Sequence, residues 1–258
     1  MTKREQYGPW AVITGASDGI GRAVAKRVAA AGLDIVLAAR SEAKLQELAD
    51  ELEHSCGVKT QLVAVDLGRT SGVATLLEAT DGLEVGLAVL AAGFGTAGPF
   101  TETAPADELE MIAVNVAAVA QLAHAFASQM AAQRRGGIVL FGSILGWQGV
   151  PGQANYAATK AYVQSLAEGL HRELKPRGVD VLSVAPGPVH TGFAARAGLT
   201  MKSAAAPEVV AEAMWSALGR RVTVVPGAQA KFLTASLRVL PRQLRSIILG
   251  RVMASMRH

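Results

Sequence analysis

The stretch VITGASDGIGRAVAKRVAAAG, residues 12–32, decides the fold. It begins as a short apolar run, passes Gly15, Gly19 and Gly21, and continues with the spacing of an amphipathic helix. Glycine at these places permits a tight turn, a close approach of backbone to a pyrophosphate, and close packing of helix on strand. The free N–H groups and positive end of the helix would then meet phosphates. The spacing is G-x-x-x-G-x-G rather than the more familiar G-x-G-x-x-G, so its place between a first strand and a first helix carries the reading.

Outward from this turn the same alternation runs along the chain. Apolar runs at 10–14, 34–39, 60–67, 85–92, 137–143, 179–186 and 222–225 read as strands, and 19–32, 41–55, 69–80, 105–133, 154–176 and 207–218 carry helical spacing. Near-continuous Val/Ile/Leu runs mark strands covered on both faces, and regular strand–helix alternation marks crossover units. The expectation is an α/β protein: a doubly wound, mainly parallel seven-stranded sheet of Rossmann type with helices on both faces. No linker, repeat or low-complexity break divides the sequence, so residues 1–258 read as one domain.

Half of the 258 residues are hydrophobic, ample for a core. The single cysteine, Cys56, cannot form an internal disulfide and reads as a packing residue; nothing in the cysteine count calls for an oxidising compartment, so a cytoplasmic protein is expected. The N-terminal apolar run is interrupted by glycine and reads as a strand rather than a signal core. No uncharged run of about 18 residues of spanning quality is read, because the most apolar long segment, 111–127, carries Asn115, Gln121 and His124. The five histidines, His54, His124, His171, His190 and His258, lack metal-ligand spacing and read as structural or surface groups, with His190 close enough to the expected cofactor loop to meet substrate.

The net charge of +4 is uneven. From Gln229 onward stand Lys231, Arg238, Arg242, Arg245, Arg251 and Arg257 with no acid, which leaves 19 basic against 21 acidic residues before them. The basic tail has neither interleaved aromatics nor a reading motif, so nucleic-acid binding is not expected. Phe232, Leu233, Leu237 and Leu240 recur at helical spacing before Pro241, and Leu244, Ile247, Ile248 and Met253 follow it. Residues 229–258 therefore read as a basic amphipathic extension of two short helices. Its apolar stripes must be covered, by the substrate pocket or a partner subunit on one reading and by an anionic membrane on the other.

A second stretch, VPGQANYAATKAY at 150–162, sets Tyr156 four places before Lys160. On a helix the two share one face, while Ala157, Ala158 and Ala161 keep that surface shallow, so a phenol and an ammonium can serve one volume.

Taken together, these motifs resemble the short-chain dehydrogenase/reductase family from about residue 8 to 226. TGASDGIG, residues 14–21, resembles its TGxxxGxG turn, Ser143 precedes Tyr156 by thirteen residues, Lys160 completes Y-x-x-x-K, and PGPVHT at 186–191 matches its PGxxxT. The resemblance implies a catalytic set of Asn115, Ser143, Tyr156 and Lys160. It implies cofactor contacts from Gly15, Ser17, Gly19, Ile20 and Gly21 in the first turn, Asp66 and Leu67 at the end of the third strand, and Ala92 after the fourth. Val189 and Thr191 are placed near the nicotinamide, and Tyr156 and Lys160 also touch the cofactor. One departure is clear: the family's Asn-Asn-Ala-Gly is here Leu90, Ala91, Ala92 and Gly93, which bears on sheet rigidity or cofactor affinity. Asp18 is a second, since members that use NADP often carry a basic residue there.

The chemistry expected is hydride transfer between a nicotinamide and a carbonyl or alcohol substrate, acting on the CH–OH group. An unperturbed tyrosine, with a pKa near ~10, exchanges protons sluggishly at neutral pH. Lys160 is expected to lower it. Tyr156 then acts as general acid or base, Ser143 hydrogen-bonds the substrate oxygen, and Asn115 anchors a water of a proton relay. At the end of the second strand stands Ala39 rather than an acid, and Arg40 follows, which favours NADP(H) over NAD(H). SDGIG, AARSEAKL and the basic tail also resemble the branch of 3-ketoacyl and hydroxysteroid reductases, implying a hydrophobic ketone. A homodimer or homotetramer through the helices at 107–131 and 154–175 is implied as well. A nucleotide-binding regulatory or scaffold protein on the same fold is the alternative, since fold alone does not decide function.

Overall fold

The computed structural model describes residues 2–200 and 203–256; Met201, Lys202 and the tail residues Arg257 and His258 lie outside them. A short helix, α1 (Lys3–Tyr7), leads into β1 (Trp10–Thr14), α2 (Gly19–Ala29), β2 (Asp34–Ala39), α3 (Glu42–Cys56), β3 (Thr60–Ala64), α4 (Thr70–Ala79) and β4 (Val85–Leu90). Then come α5 (Pro105–Ile112), a wider π turn at Ala113–Ala118, α6 (Val119–Gln133), β5 (Gly136–Phe141), a 3₁₀ turn at Ile144–Trp147, α7 (Ala154–Leu174) and β6 (Val179–Val184). The chain ends with α8 (Gly192–Arg196), α9 (Pro207–Ala217), β7 (Thr223–Val224), α10 (Ala228–Arg238) and α11 (Arg242–Ala254).

All seven strands pair in parallel, in the order β3-β2-β1-β4-β5-β6-β7. Side chains alternate across the sheet with period two. Ala11, Ile13, Ile35, Leu37, Leu87, Val89, Val139 and Leu182 face one layer, completed by Val24 and Val28 of α2, Leu45 and Leu48 of α3, and Val210 and Met214 of α9. Val12, Val36, Ala88, Leu90, Ile138 and Leu140 face the other, where Leu76 of α4, Leu122, Phe126 and Met130 of α6, and Val163 and Ala167 of α7 close it. The doubly wound Rossmann sheet is therefore present.

The strands stop short of their apolar runs. β3 ends at Ala64 although the run continues to Leu67, and β4 ends at Leu90 although it continues to Ala92. The residues beyond turn out of the sheet and line a cleft at its carboxyl end. Leu90, in place of an amide, packs with Val12, Ala88, Ala118 and Leu140. The helical stretch 105–133 is long and apolar enough, by length and composition, to cross a membrane, which corrects the reading of 111–127. Here that stretch is a layer of the core, with Asn115 turned inward and 1% exposed.

Helices α10 and α11 form the expected C-terminal extension. Leu249 and Met253 are buried with Val150, Ala157, Ala197 and Leu199, and Leu233, Leu237, Leu145 and Phe193 pack against this cluster. One face of the tail thus covers the N-terminal end of α7 beside Tyr156, while Phe232, Val239, Leu244, Ile247 and Ile248 remain exposed.

Candidate active site

The cleft at the carboxyl ends of β1–β4 has a volume of about 530 Å³. Its floor is the turn from β1 into α2. A Cβ on Gly21 would lie 2.1 Å from the Gly15 carbonyl oxygen, and one on Gly19, whose φ is +51°, would lie 2.5 Å from Thr191 Cγ2. Neither position admits a side chain, so the cradle stays open to a backbone-bound phosphate. Gly15, Ser17, Gly19, Ile20, Gly21, Arg40, Asp66, Leu67, Ala92 and Thr191 all line it, as expected. Val189 does not: it is buried and pairs with Ala205 in an isolated bridge. His190 is exposed and lies off the cleft wall, so the structure does not bring it to the site.

The walls hold residues that sequence reasoning missed. Ser41 and Lys44 stand beside Arg40 at the start of α3. Their signal was present, since Arg40 and Lys44 are four apart. Phe94, Glu110, Phe193 and Arg196 complete the mouth. Arg196 Nη2 donates to Glu110 Oε1 at 2.9 Å, and its Cζ lies 3.4 Å from the Phe94 ring centroid. Arg40 Nη1 stands 3.9 Å from the same carboxylate with its side chain 60% exposed, free to turn to another anion. Asp18 caps α2, accepting from Gly19 N at 2.7 Å, and its second oxygen accepts from Gly192 N at 3.2 Å. The acid that departs from the family habit therefore fastens the loop after β6 across the first turn.

Behind Gly93 the four expected catalytic residues converge. A Cβ on Gly93 would lie 3.0 Å from Asn115 Oδ1 and 3.3 Å from Lys160 Nζ. Asn115 sits in the π turn, a distortion that often marks functional positions. Its Oδ1 accepts from Phe94 N at 3.1 Å, and its Nδ2 donates to Phe94 O at 2.8 Å and Thr159 Oγ1 at 3.2 Å. Both amide hydrogens are thereby committed, leaving one lone pair of Oδ1 for a water.

Ser143 begins the 3₁₀ turn after β5, with its Oγ accepting from Leu145 N at 3.1 Å. Burial pushes the Tyr156 phenol up to about 12, and the neighbouring Ser143 hydroxyl pulls the other way. Burial likewise brings Lys160 down to about 8. The expectation that Lys160 lowers the phenol is corrected. Its Nζ donates to the Phe141 carbonyl at 2.8 Å and stands 5.7 Å from the Tyr156 ring centroid, so the ammonium is tied to β5. The Phe193 ring lies 5.4 Å from that of Tyr156, tilted by 55°, and packs against the apolar cluster under α11.

Among the described residues no group of three or more His, Cys, Asp or Glu side chains is placed to hold a metal ion.

The family model for short chain dehydrogenases matches residues 9–202. A 7beta-hydroxysteroid dehydrogenase of Collinsella aerofaciens is 31% identical over 238 residues, 90% of each chain. A structure solved in a study of 7beta-hydroxysteroid dehydrogenase stereoselectivity is similar with a TM-score of 0.90 and 29% identity, over 97% of this chain and 100% of that one. A short-chain dehydrogenase from Sphingobium yanoikuyae in complex with NADPH is similar with a TM-score of 0.81 and 29% identity, over 97% of each. With the glycine cradle, the Ser-Tyr-Lys set and the sheet order agreeing, the chain belongs to the short-chain dehydrogenase family of oxidoreductases.

Proposed function

We propose that the chain transfers hydride between NADP(H) and a bulky hydrophobic ketone or the corresponding secondary alcohol. The observation that carries this is the convergence of Ser143, Tyr156 and Lys160 between a phosphate-binding cradle and an apolar cluster of Val150, Leu199, Leu249 and Met253. When bound, the nicotinamide supplies the hydride. Tyr156 Oη delivers a proton to the carbonyl oxygen in reduction and removes it in oxidation. Ser143 Oγ steadies the same oxygen as charge grows on it. Lys160 holds positive charge beside both and, in the family, the nicotinamide ribose; Asn115 fixes the loop at Phe94 and keeps one acceptor for a relay water.

Preference for NADP(H) over NAD(H) is read from Ala39, Arg40 and Lys44: no carboxylate ends β2, and two cations offer charge-assisted bonds to a 2′-phosphate. The regulatory or scaffold alternative is not favoured, because no proton-transferring group is missing. We read residues 1–258 as one domain, with 229–258 its extension. Assembly as a homodimer or homotetramer is supported by exposed Leu109 and Ile112 on α5 and Tyr162 on α7. A cytoplasmic location fits the lone Cys56. Peripheral contact with an anionic membrane is supported by the exposed apolar and basic face of the tail.

The test is a panel of steroid, bulky aryl and 3-oxoacyl ketones assayed with NADPH and NADH at the reduced-nicotinamide absorption band. Turnover of bulky ketones with NADPH supports the reading; no oxidation of either cofactor by any ketone overturns it.

A further inference from the structure

A second cavity, about 570 Å³ in volume, lies behind the 3₁₀ turn that follows Ser143, at the β7 edge of the sheet. It belongs to neither the cofactor cradle nor the Tyr156 face. Ile144, Trp147, Val225, Leu233, Leu237 and Leu249 give it apolar walls, and the tail helices close it. Its size is that of a small-molecule pocket.

The polar lining is unbalanced. On the α7 side the groups are satisfied: Gln164 Nε2 donates to Glu168 Oε1 at 2.7 Å and Thr223 Oγ1 at 2.8 Å, and its Oε1 accepts from Ser183. On the tail side they are not. Among the described residues four buried side-chain atoms lack a hydrogen-bond partner, and two of them, Thr234 Oγ1 and Arg245 Nε, belong to this wall. Arg238 adds a second guanidinium there, and Glu168 opposite is the one carboxylate of the lining. A buried guanidinium N–H left unpaired is costly, and proteins ordinarily avoid it. The group that would satisfy both atoms is an anionic acceptor, and the walls around it suit an aliphatic or alicyclic body.

We infer that this cavity is a second binding site, for an anionic amphiphile whose carboxylate or sulfate meets Arg245, Arg238 and Thr234 while its apolar body rests on Trp147, Leu233 and Leu249. The site shares the 3₁₀ turn with Ser143, which gives an occupant a route to the catalytic end through Ile144. It does not depend on which ketone the first site takes.

The experiment titrates the full chain with sodium dodecanoate below its micelle point, by calorimetry and by Trp147 fluorescence. Dodecyltrimethylammonium is the cationic control. Saturable dodecanoate binding is expected, at least tenfold tighter than that of the cation. It should weaken at least tenfold in Arg238→Gln/Arg245→Met, and the fluorescence change should vanish in Trp147→Phe while calorimetric binding persists. Arg238→Gln alone, at an exposed residue, weakens it measurably without a change in melting, which keeps the test valid if the double variant folds poorly. Equal binding by the charge variants, equal binding of the cation, or a fluorescence change surviving Trp147→Phe would each overturn the inference.

Discussion

The Lys160 ammonium donates a 2.8 Å hydrogen bond to the carbonyl of Phe141, the last residue of β5, and thereby holds a charge inside the end of the sheet. Lys160 is 7% exposed, and burial moves it from 10.5 to about 8. Between those two values the unfolded chain binds more protons than the folded one, so stability rises with pH through that window; below about 8 the folded state carries the full cost of the buried charge. Lys160→Met should therefore be stabilised at neutral pH by up to roughly 3 kcal/mol, with the gain shrinking as pH rises past the folded value. Denaturant melts of both proteins across this range check it. A variant less stable at neutral pH would show that the bond to Phe141 outweighs desolvation.

Tyr156→Phe removes one hydroxyl and little packing. Turnover should fall by about 10²–10⁴-fold with NADPH affinity unchanged, and Ser143→Ala should lose about 10²–10³-fold. Steady-state rates together with fluorescence titration of the cofactor separate the two effects. Near-normal rates in Tyr156→Phe would remove the assigned proton donor.

What was legible in the sequence follows from the range of the interactions. Tyr156 and Lys160 could be paired because a helix places residues four apart on one face. The first turn could be read because its demands on glycine are local: Gly19 takes a positive φ, and a Cβ on Gly21 would meet the Gly15 carbonyl. Strand ends could not: Val65 and Leu67 keep the apolar pattern on either side of Asp66 because the cleft, like the core, needs an apolar wall. The π turn that aims Asn115 leaves no mark in AVNVAA, since one extra residue per turn does not alter which residues are apolar. The Arg196–Glu110 pair joins residues 86 apart, and the stacking of Arg196 on Phe94 is equally non-local. The direction of the Tyr156 shift needed burial, which no spacing reveals.

Arg40→Asp should reverse cofactor preference. The new carboxylate would repel a 2′-phosphate and accept from free ribose hydroxyls, and it would also stand close to Glu110, adding like charge at the mouth. The ratio of kcat/KM for NADPH over NADH should fall by at least about tenfold, a change of roughly 1.4 kcal/mol. Lys44→Ala should lower the ratio less. An unchanged ratio in Arg40→Asp would mean that the phosphate is held elsewhere.

Glu108 is a buried carboxylate next to the start of α7. Its oxygens accept from Thr96 Oγ1 at 2.7 Å and Asn155 Nδ2 at 2.7 Å, tying the loop after β4 to the residue before Tyr156. Burial alone would raise its pKa, but the bonds from Thr96 and Asn155, with the Thr103 hydroxyl nearby, hold it below the ordinary value. The stability it contributes is present above the unfolded carboxylate pKa and is lost as pH falls through the lower folded one. Glu108→Gln faces Asn155 with an amide that can turn only one acceptor toward two donors, so a loss of about 1–3 kcal/mol is expected. Thermal melts at neutral and acid pH check it. The difference between wild type and variant should narrow in acid; a constant difference would place the effect in packing alone.

The tail presents two faces with different fates. Leu249 and Met253 are buried against Val150 and Leu199, so truncation after Ala228 should uncover that cluster and lower stability as well as any ketone turnover. Phe232 and Val239, 76% and 84% exposed, and Leu244, Ile247 and Ile248 contribute little to the fold. Replacing Phe232, Val239 and Ile247 together by serine should therefore leave melting nearly unchanged. Those side chains, flanked by Lys231, Arg238, Arg242 and Arg251, are the ones a membrane would engage, with basic residues near an anionic surface worth about 1 kcal/mol each. Cosedimentation with vesicles containing phosphatidylserine should show binding that weakens with salt, is absent from phosphatidylcholine vesicles, and is lost in the triple-serine variant. If neither vesicle retains the wild-type chain, the membrane role is removed. Light scattering at micromolar concentration then tests the other cover: a wild-type dimer or tetramer that dissociates in the triple-serine variant would assign the exposed face to a second copy of the chain.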